Sequence, residues 1–212
     1  MLGDSLINVP WGNYNLRDKI ESQLDRPVNL YNYGVNGDTI GRILDRTDGM
    51  LATVRPQAVI LFWDSDVSDI NERILHPDQI TALRENYKSA LRTVCSKILA
   101  TGSLLVIVGP ELLGEGPVIL NDKSAFIDVY ASKEEMLNDY REMNEEIAQE
   151  FNVPYIDIRK AFLDVLATTT WPYNNGCITQ DGEHPNENGA VVEANLFSAM
   201  INVWLRSSPN TC

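Results

Sequence analysis

Apolar runs of strand length alternate with longer stretches of helical periodicity along most of this chain, and that alternation restricts it to a parallel sheet covered by helices on both faces. VNLYNYGV (28–35), QAVILFW (57–63), SLLVIVGP (103–110) and VPYIDI (153–158) read as strands. NYNLRDKIESQLD (13–25), TIGRILDRTDGMLATV (39–54), DQITALRENYKSALRTVCSKILATG (78–102) and SKEEMLNDYREMNEEIAQEF (132–151) carry apolar residues at helical spacing. ENGAVVEANLFSAMINVWLR (187–206) reads as a closing helix, and Gly102 stands where a helix C-cap is expected. No repeat, low-complexity tract or linker interrupts the pattern. The 212 residues therefore read as one domain (1–212), large enough to bury a proper core. ELLGEGPVILNDKSAFIDVYA (111–131) exceeds the usual loop length and falls at a carboxyl strand edge, where long loops are commonly functional.

Charge narrows the partners. Thirty acidic and 17 basic side chains give a formal net charge of -13, which repels phosphate backbones and anionic lipid surfaces. Nucleic acid is excluded as a partner, and a small neutral substrate fits best. Cys95, Cys177 and Cys212 form no C-x-x-C pair, and Cys95, on a helical pattern, reads as a core thiol. No apolar run reaches membrane-spanning length, so no integral membrane association is expected. Cysteine usage and the lack of a signal peptide favour the cytoplasm, and removal of an upstream signal would make the protein secreted instead. No feature of the sequence specifies an oligomeric state.

Two segments carry chemistry. Gly3-Asp4-Ser5 follows only Met1 and Leu2. A serine placed after a strand has its hydroxyl at the carboxyl edge of the sheet, where open α/β folds bind ligands, although Gly-Asp-Ser is also an ordinary turn composition. Near the other end, Asp181 and His184 are three apart in the turn DGEHPN. Serine hydrolysis needs a base that takes the hydroxyl proton and a carboxylate that orients the base and stabilises its charged form. Gly37, in VNGDT, stands at a strand-to-helix turn near the positive end of a helix dipole, and glycine there permits close backbone approach by a ligand. His76, followed by Pro77, reads as a structural loop residue, and two histidines give no zinc-ligand spacing. The carboxylates of 132–150 read as a solvated helix face.

GDSL at 3–6, NYGVNGDT at 32–39, a block after the third strand and DGEHPN at 181–186 occur in the order of the SGNH or GDSL esterases and lipases, which the chain resembles over nearly its whole length. The resemblance implies a three-layer α/β/α fold with a mostly parallel, flavodoxin-like sheet, and a metal- and cofactor-free carboxylic ester hydrolase working through an acyl-enzyme. It also implies Ser5 as nucleophile, His184 as base and acid, and Asp181 as its orienting partner. Ser5 and Gly37 would donate backbone N–H groups to the oxyanion. The third block departs from the family's Gly-x-Asn-Asp: in WDSD, Trp63 replaces the glycine, Ser65 the asparagine, and Asp66 matches. Ser65 is expected beside the oxyanion as a weaker donor, and losing one full donor costs roughly 10² to 10³ in rate. Asp4, Trp63, Asp66, Leu112 and Trp171 are expected around the substrate pocket, with core packing the alternative for Trp63. In the family the Gly-Asp-Ser turn follows a full central strand, so the first strand is expected to be short here, from an N-terminally shortened chain.

Two further readings stay open. Asp64 and Asp66 after an apolar strand resemble the nucleophile motif of haloacid-dehalogenase-like phosphotransferases, which would require magnesium. The altered third block also suits a hydrolase-like scaffold that binds a ligand without turning it over. An α/β-hydrolase with a nucleophile elbow is excluded because no G-x-S-x-G occurs.

Overall fold

A computed structural model describes residues 1–63, 76–110, 133–168, 178–180 and 184–207. Five strands, β1 (Leu2–Gly3), β2 (Tyr33–Gly34), β3 (Ala58–Phe62), β4 (Leu104–Val108) and β5 (Tyr155–Ile156), form one sheet in the order β2-β1-β3-β4-β5. Every pairing is parallel. The helices are α1 (Ser5–Asn13), α2 (Leu16–Glu21), α3 (Ile40–Val54), α4 (Ile80–Ala100), α5 (Lys133–Glu150), α6 (Ile158–Thr168) and α7 (Glu187–Ser207). This is the expected three-layer α/β/α architecture with flavodoxin-like strand order.

The period-2 alternation of a strand divides the core in two. Val59 and Leu61 face one layer with Leu105, Ile107 and the buried sides of α3, α4 and α5. Ile60 and Phe62 face the other with Val106, Val108 and residues of α1, α2, α6 and α7. Cys95 is buried in the first layer as a free thiol, and burial pushes it up to about 12. Among the described residues, no helix is long and apolar enough to cross a membrane.

Some elements differ from the sequence reading. The strands expected over 28–35 and 153–158 are confined to Tyr33–Gly34 and Tyr155–Ile156. β2 has only the two residues of β1 to pair with, and Ile158 already begins α6. Helix α1 precedes the first helical pattern read from the sequence, and Pro10 lies inside it, removing one N–H from the ladder. A side-chain cap from Asp4 and burial of Leu6 and Ile7 outweigh that loss. The acidic helix α5 is not simply solvated. Glu146 and Glu150 pair with Lys88 (3.3 Å) and Arg92 (2.7 Å) of α4, and the buried Asp139 pairs with Arg84.

β3 and β4 pair over all five residues, from Ala58 opposite Leu104 to Phe62 opposite Val108. On its other side β3 meets β1 only at Leu61 and Phe62. Leu104 N–H donates to Gln57 O at 2.8 Å. In a parallel ladder alternate residues turn both backbone groups to the same neighbour, so Ala58 and Ile60 direct theirs toward β1, where Ala58 finds no paired strand. A cavity of about 670 Å³ occupies this place, lined by Leu30, Met50, Val54, Val59, Ile201 and Trp204 among others. The Met1 ammonium sits in it, donating to Tyr31 O at 2.7 Å, and burial lowers its pKa to about 5.

An extended residue joined to the Met1 nitrogen would keep the bond to Tyr31 with a neutral N–H, lie opposite Val59, and present alternate side chains to the two apolar layers. Joining five or six alternating β-branched residues there is expected to raise the thermal midpoint by roughly 4–8 °C, from about 2 kcal/mol of net ladder bonding and burial. A Gly-Ser segment of equal length is expected to raise it less. Calorimetry showing equal midpoints for extended and parent chains would mean that the cavity does not accept a strand.

Candidate active site

β1 ends at Gly3, where nothing larger fits: a Cβ there would lie 1.6 Å from Phe62 O. The chain then turns into α1 through Asp4, whose Oδ1 accepts from Leu6 N–H at 2.9 Å. Asp4, expected at the substrate pocket, is instead buried as the helix cap, since the first-turn N–H groups of a helix need an acceptor. Ser5 is the first residue of α1 and half-buried. Its own N–H has no intrahelical partner by helix geometry and lies at the positive end of the helix dipole.

His184 reaches the same place from the far end of the chain. Thr179 and Pro185 form an antiparallel bridge, closed by Gln180 N–H to His184 O (2.9 Å) and Asn186 N–H to Ile178 O (2.7 Å). Asn186 then does two things. Its Nδ2 donates to Thr179 O at 3.2 Å, and its Oδ1 accepts from Asn188 N–H (2.9 Å) and Gly189 N–H (3.2 Å) at the start of α7. Tyr14 Oη donates to Gln180 Oε1 at 2.9 Å, tying the loop to the end of α1. His184 Nε2 lies 3.0 Å from Ser5 Oγ, although the two are 179 residues apart.

Gly37 follows β2 with φ of +73°, a left-handed conformation that favours glycine, and the space where a Cβ would stand is open. Its turn is held by Asp38 N–H to Val35 O (3.1 Å), by Arg42 Nη1 to Gly37 O (3.2 Å), and by Thr39 Oγ1, which caps α3 by accepting from Arg42 N–H at 3.2 Å. Asparagines that the sequence reading passed over link this turn to α1. Asn8 Nδ2 donates to Asn36 Oδ1 at 2.9 Å, and Asn32 Nδ2 donates to Asn8 Oδ1 at 3.1 Å. No sequence signal singles them out, because an Asn-rich turn is common in any loop.

Trp63, expected around the pocket, is fully buried against Tyr87 with ring centroids 6.2 Å apart. It continues the Val59, Leu61 face of β3, so strand alternation aims it into the core. Ser65, Asp64, Asp66, Leu112, Trp171 and Asp181 lie outside the described residues. His76 O accepts from Gln79 N–H at 2.9 Å at the start of a short 3₁₀ turn, Pro77–Gln79.

β1 lies between β2 and β3, so the connections leaving β1 and β3 diverge above it. Ligands of open parallel α/β proteins bind at such a switch point, and Ser5 and His184 stand there. The chain belongs to the GDSL-like lipase/acylhydrolase family, whose sequence profile matches residues 1–192. No curated protein sequence matches it. Solved structures with the same fold include a lipase/acylhydrolase from Enterococcus faecalis, 18% identical with a TM-score of 0.68, covering 96% of this chain and 94% of that one. The acetyl xylan esterase AlAXEase is 21% identical with a TM-score of 0.70, over 93% of this chain and 96% of that one. A catalytic mutant of an acetylxylan esterase from Geobacillus stearothermophilus is 15% identical with a TM-score of 0.66, over 94% and 91%.

Asn186→Ala removes both the α7 cap and the tie to Thr179, and is expected to cost about 1–2 kcal/mol. Asn186→Asp keeps the acceptor and loses only the tie, so chemical denaturation should place it between parent and Ala. Equal loss in the two variants would show that the cap contributes nothing.

Proposed function

We propose that this chain is a serine ester hydrolase acting through a covalent acyl-enzyme, with Ser5 as nucleophile and His184 as base. The observation that carries the reading is the 3.0 Å separation of His184 Nε2 and Ser5 Oγ at the switch point of the sheet. With Nε2 unprotonated, the Ser5 hydroxyl donates to it, and the proton moves to the imidazole as Oγ attacks the ester carbonyl. The negative charge that develops on the carbonyl oxygen meets the N–H groups of Ser5 and Gly37, both at strand-to-helix turns. His184 then gives its proton to the leaving alcohol and takes one from the water that releases the acyl group. Asp181 is assigned the orientation of His184, by its place in DGEHPN. The formal charge of -13 supports a neutral ester over a polyanionic one.

Ser5→Ala is expected to abolish labelling by a fluorophosphonate and to remove at least about 10³ of the rate on a panel of short- to long-chain acyl esters. Mass mapping of the adduct to any serine other than Ser5, or undiminished turnover, would end the assignment. Asp181→Asn should leave labelling detectable but slow, and a parental rate would take Asp181 out of the triad.

Ser65 is assigned a third, weaker contact with the oxyanion. Ser65→Asn is expected to match or exceed the parental rate, and Ser65→Ala to lower it by less than the roughly 10² to 10³ of a full donor. If steady-state kinetics show both variants at the parental rate, another group holds that position.

A further inference from the structure

Arg46 stands on α3, well past the Gly37 turn, and its guanidinium reaches back to three separate segments. Nε donates to the carboxylate of Asp38, Nη1 to Tyr33 O at 2.6 Å, and Nη2 to Gly3 O. Asp38 is 7% exposed, so its charge is answered within the protein. Gly3 O also accepts from Val35 N–H at 3.1 Å. One planar cation therefore joins the last residue of β1, a residue of β2, and the neighbour of Gly37. Gly3 is two residues before Ser5, and Asp38 directly follows Gly37.

Three acceptors on three segments suit a guanidinium, whose donors are fixed in one plane, and do not suit an ammonium, which is a compact point charge on a flexible stem. We propose that Arg46 is a positioning residue that sets the separation of the Ser5 and Gly37 amides, by clamping the end of β1 and the Tyr33 carbonyl of β2 to the Gly37 turn. Arg46 touches neither the Ser5 hydroxyl nor His184. Its effect is on where two backbone N–H groups stand relative to each other. The consequence for rate rests on the reading given under Proposed function, whereas the clamp itself does not.

The test uses the full chain with Arg46→Lys, and with Asp38→Asn and Arg46→Ala beside it. For an acetyl ester, Arg46→Lys is expected to lower kcat roughly 10- to 100-fold with KM within about twofold, since a small misplacement of donors acts mainly on the transition state. Fluorophosphonate labelling should slow in proportion, and Asp38→Asn should give a smaller loss of the same kind. The acid limb of the pH–rate profile should stay in place, because the base is untouched. Millimolar guanidinium should restore part of kcat to Arg46→Ala and leave the parent unchanged. Independently of any activity, the Ser5 and Gly37 amide resonances in ¹⁵N spectra of Arg46→Lys should both move, while those of α6 stay. Stationary Ser5 and Gly37 amides would overturn the clamp. So would a rate loss that the unfolded fraction fully accounts for, or a change in KM alone. If the parent neither turns over esters nor takes the label, the hydrolase reading fails, and the two amides still decide the clamp.

Discussion

Leu2 and Gly3 are held between β2 and β3, and the position of every group at the carboxyl edge is referred to them. Leu2 lies opposite Tyr33 and Leu61, and Gly3 opposite Gly34 and Phe62. Because all the strands run parallel, the segments that leave β1, β2 and β3 emerge on one side. Ser5 comes from the first and Gly37 from the second. The near-contact of Gly3 with the Phe62 carbonyl admits no side chain, so β1 can end at this depth only with glycine. A small shift there would carry Ser5 away from His184, since Ser5 is only two residues further on.

The local electrostatics oppose the overall charge. The chain is strongly acidic, yet α1 begins at Ser5 and α3 begins three residues after Gly37, so two helix N-termini face the same edge. Each contributes partial positive charge and unsatisfied N–H groups. One such N–H, that of Leu6, is taken by the Asp4 carboxylate. That leaves the N–H of Ser5 free of the cap; under the proposed function it meets an oxygen that becomes negative during reaction and is neutral beforehand. A neutral ester is such a group.

Stability and site are coupled at the opposite end of β1 as well. The cavity beside Ala58 and Ile60 places the Met1 amino group among apolar residues of both layers, where burial disfavours its charged form, and β3 meets β1 only at Leu61 and Phe62. β1 is held to β2 at both ends: Met1 N donates to Tyr31 O and Met1 O accepts from Tyr33 N–H at 2.9 Å, and Gly3 O accepts from Val35 N–H at 3.1 Å. Arg46 and Val35 both bond to the Gly3 carbonyl, at the end of the strand that leads to Ser5.

The fold class was legible in the sequence because strand and helix periods alternate, and a strand buried on both faces, such as AVILF, reads as a continuous apolar run. Ser5 and His184 were legible because their motifs are short and local. Helix α1 was not, since Pro10 argues against a helix and only tertiary burial of Leu6 and Ile7 overrules it. The cap formed by Asp4 was not legible either, and for Trp63 the sequence left pocket and core both open. Whether a carboxylate caps a helix or faces a pocket depends on where the neighbouring N–H groups point, and whether an aromatic at a strand end faces ligand or core depends on register. The periodicity of the sequence determined the layers, and the resemblance of its motifs to a family implied the strand order and the pair of residues to watch. Tertiary structure alone decided that residues 179 apart come within 3.0 Å, and that one arginine gathers three carboxyl-edge segments. Those are contacts across the sheet, and no local propensity encodes a distance between segments that meet only when the chain has folded.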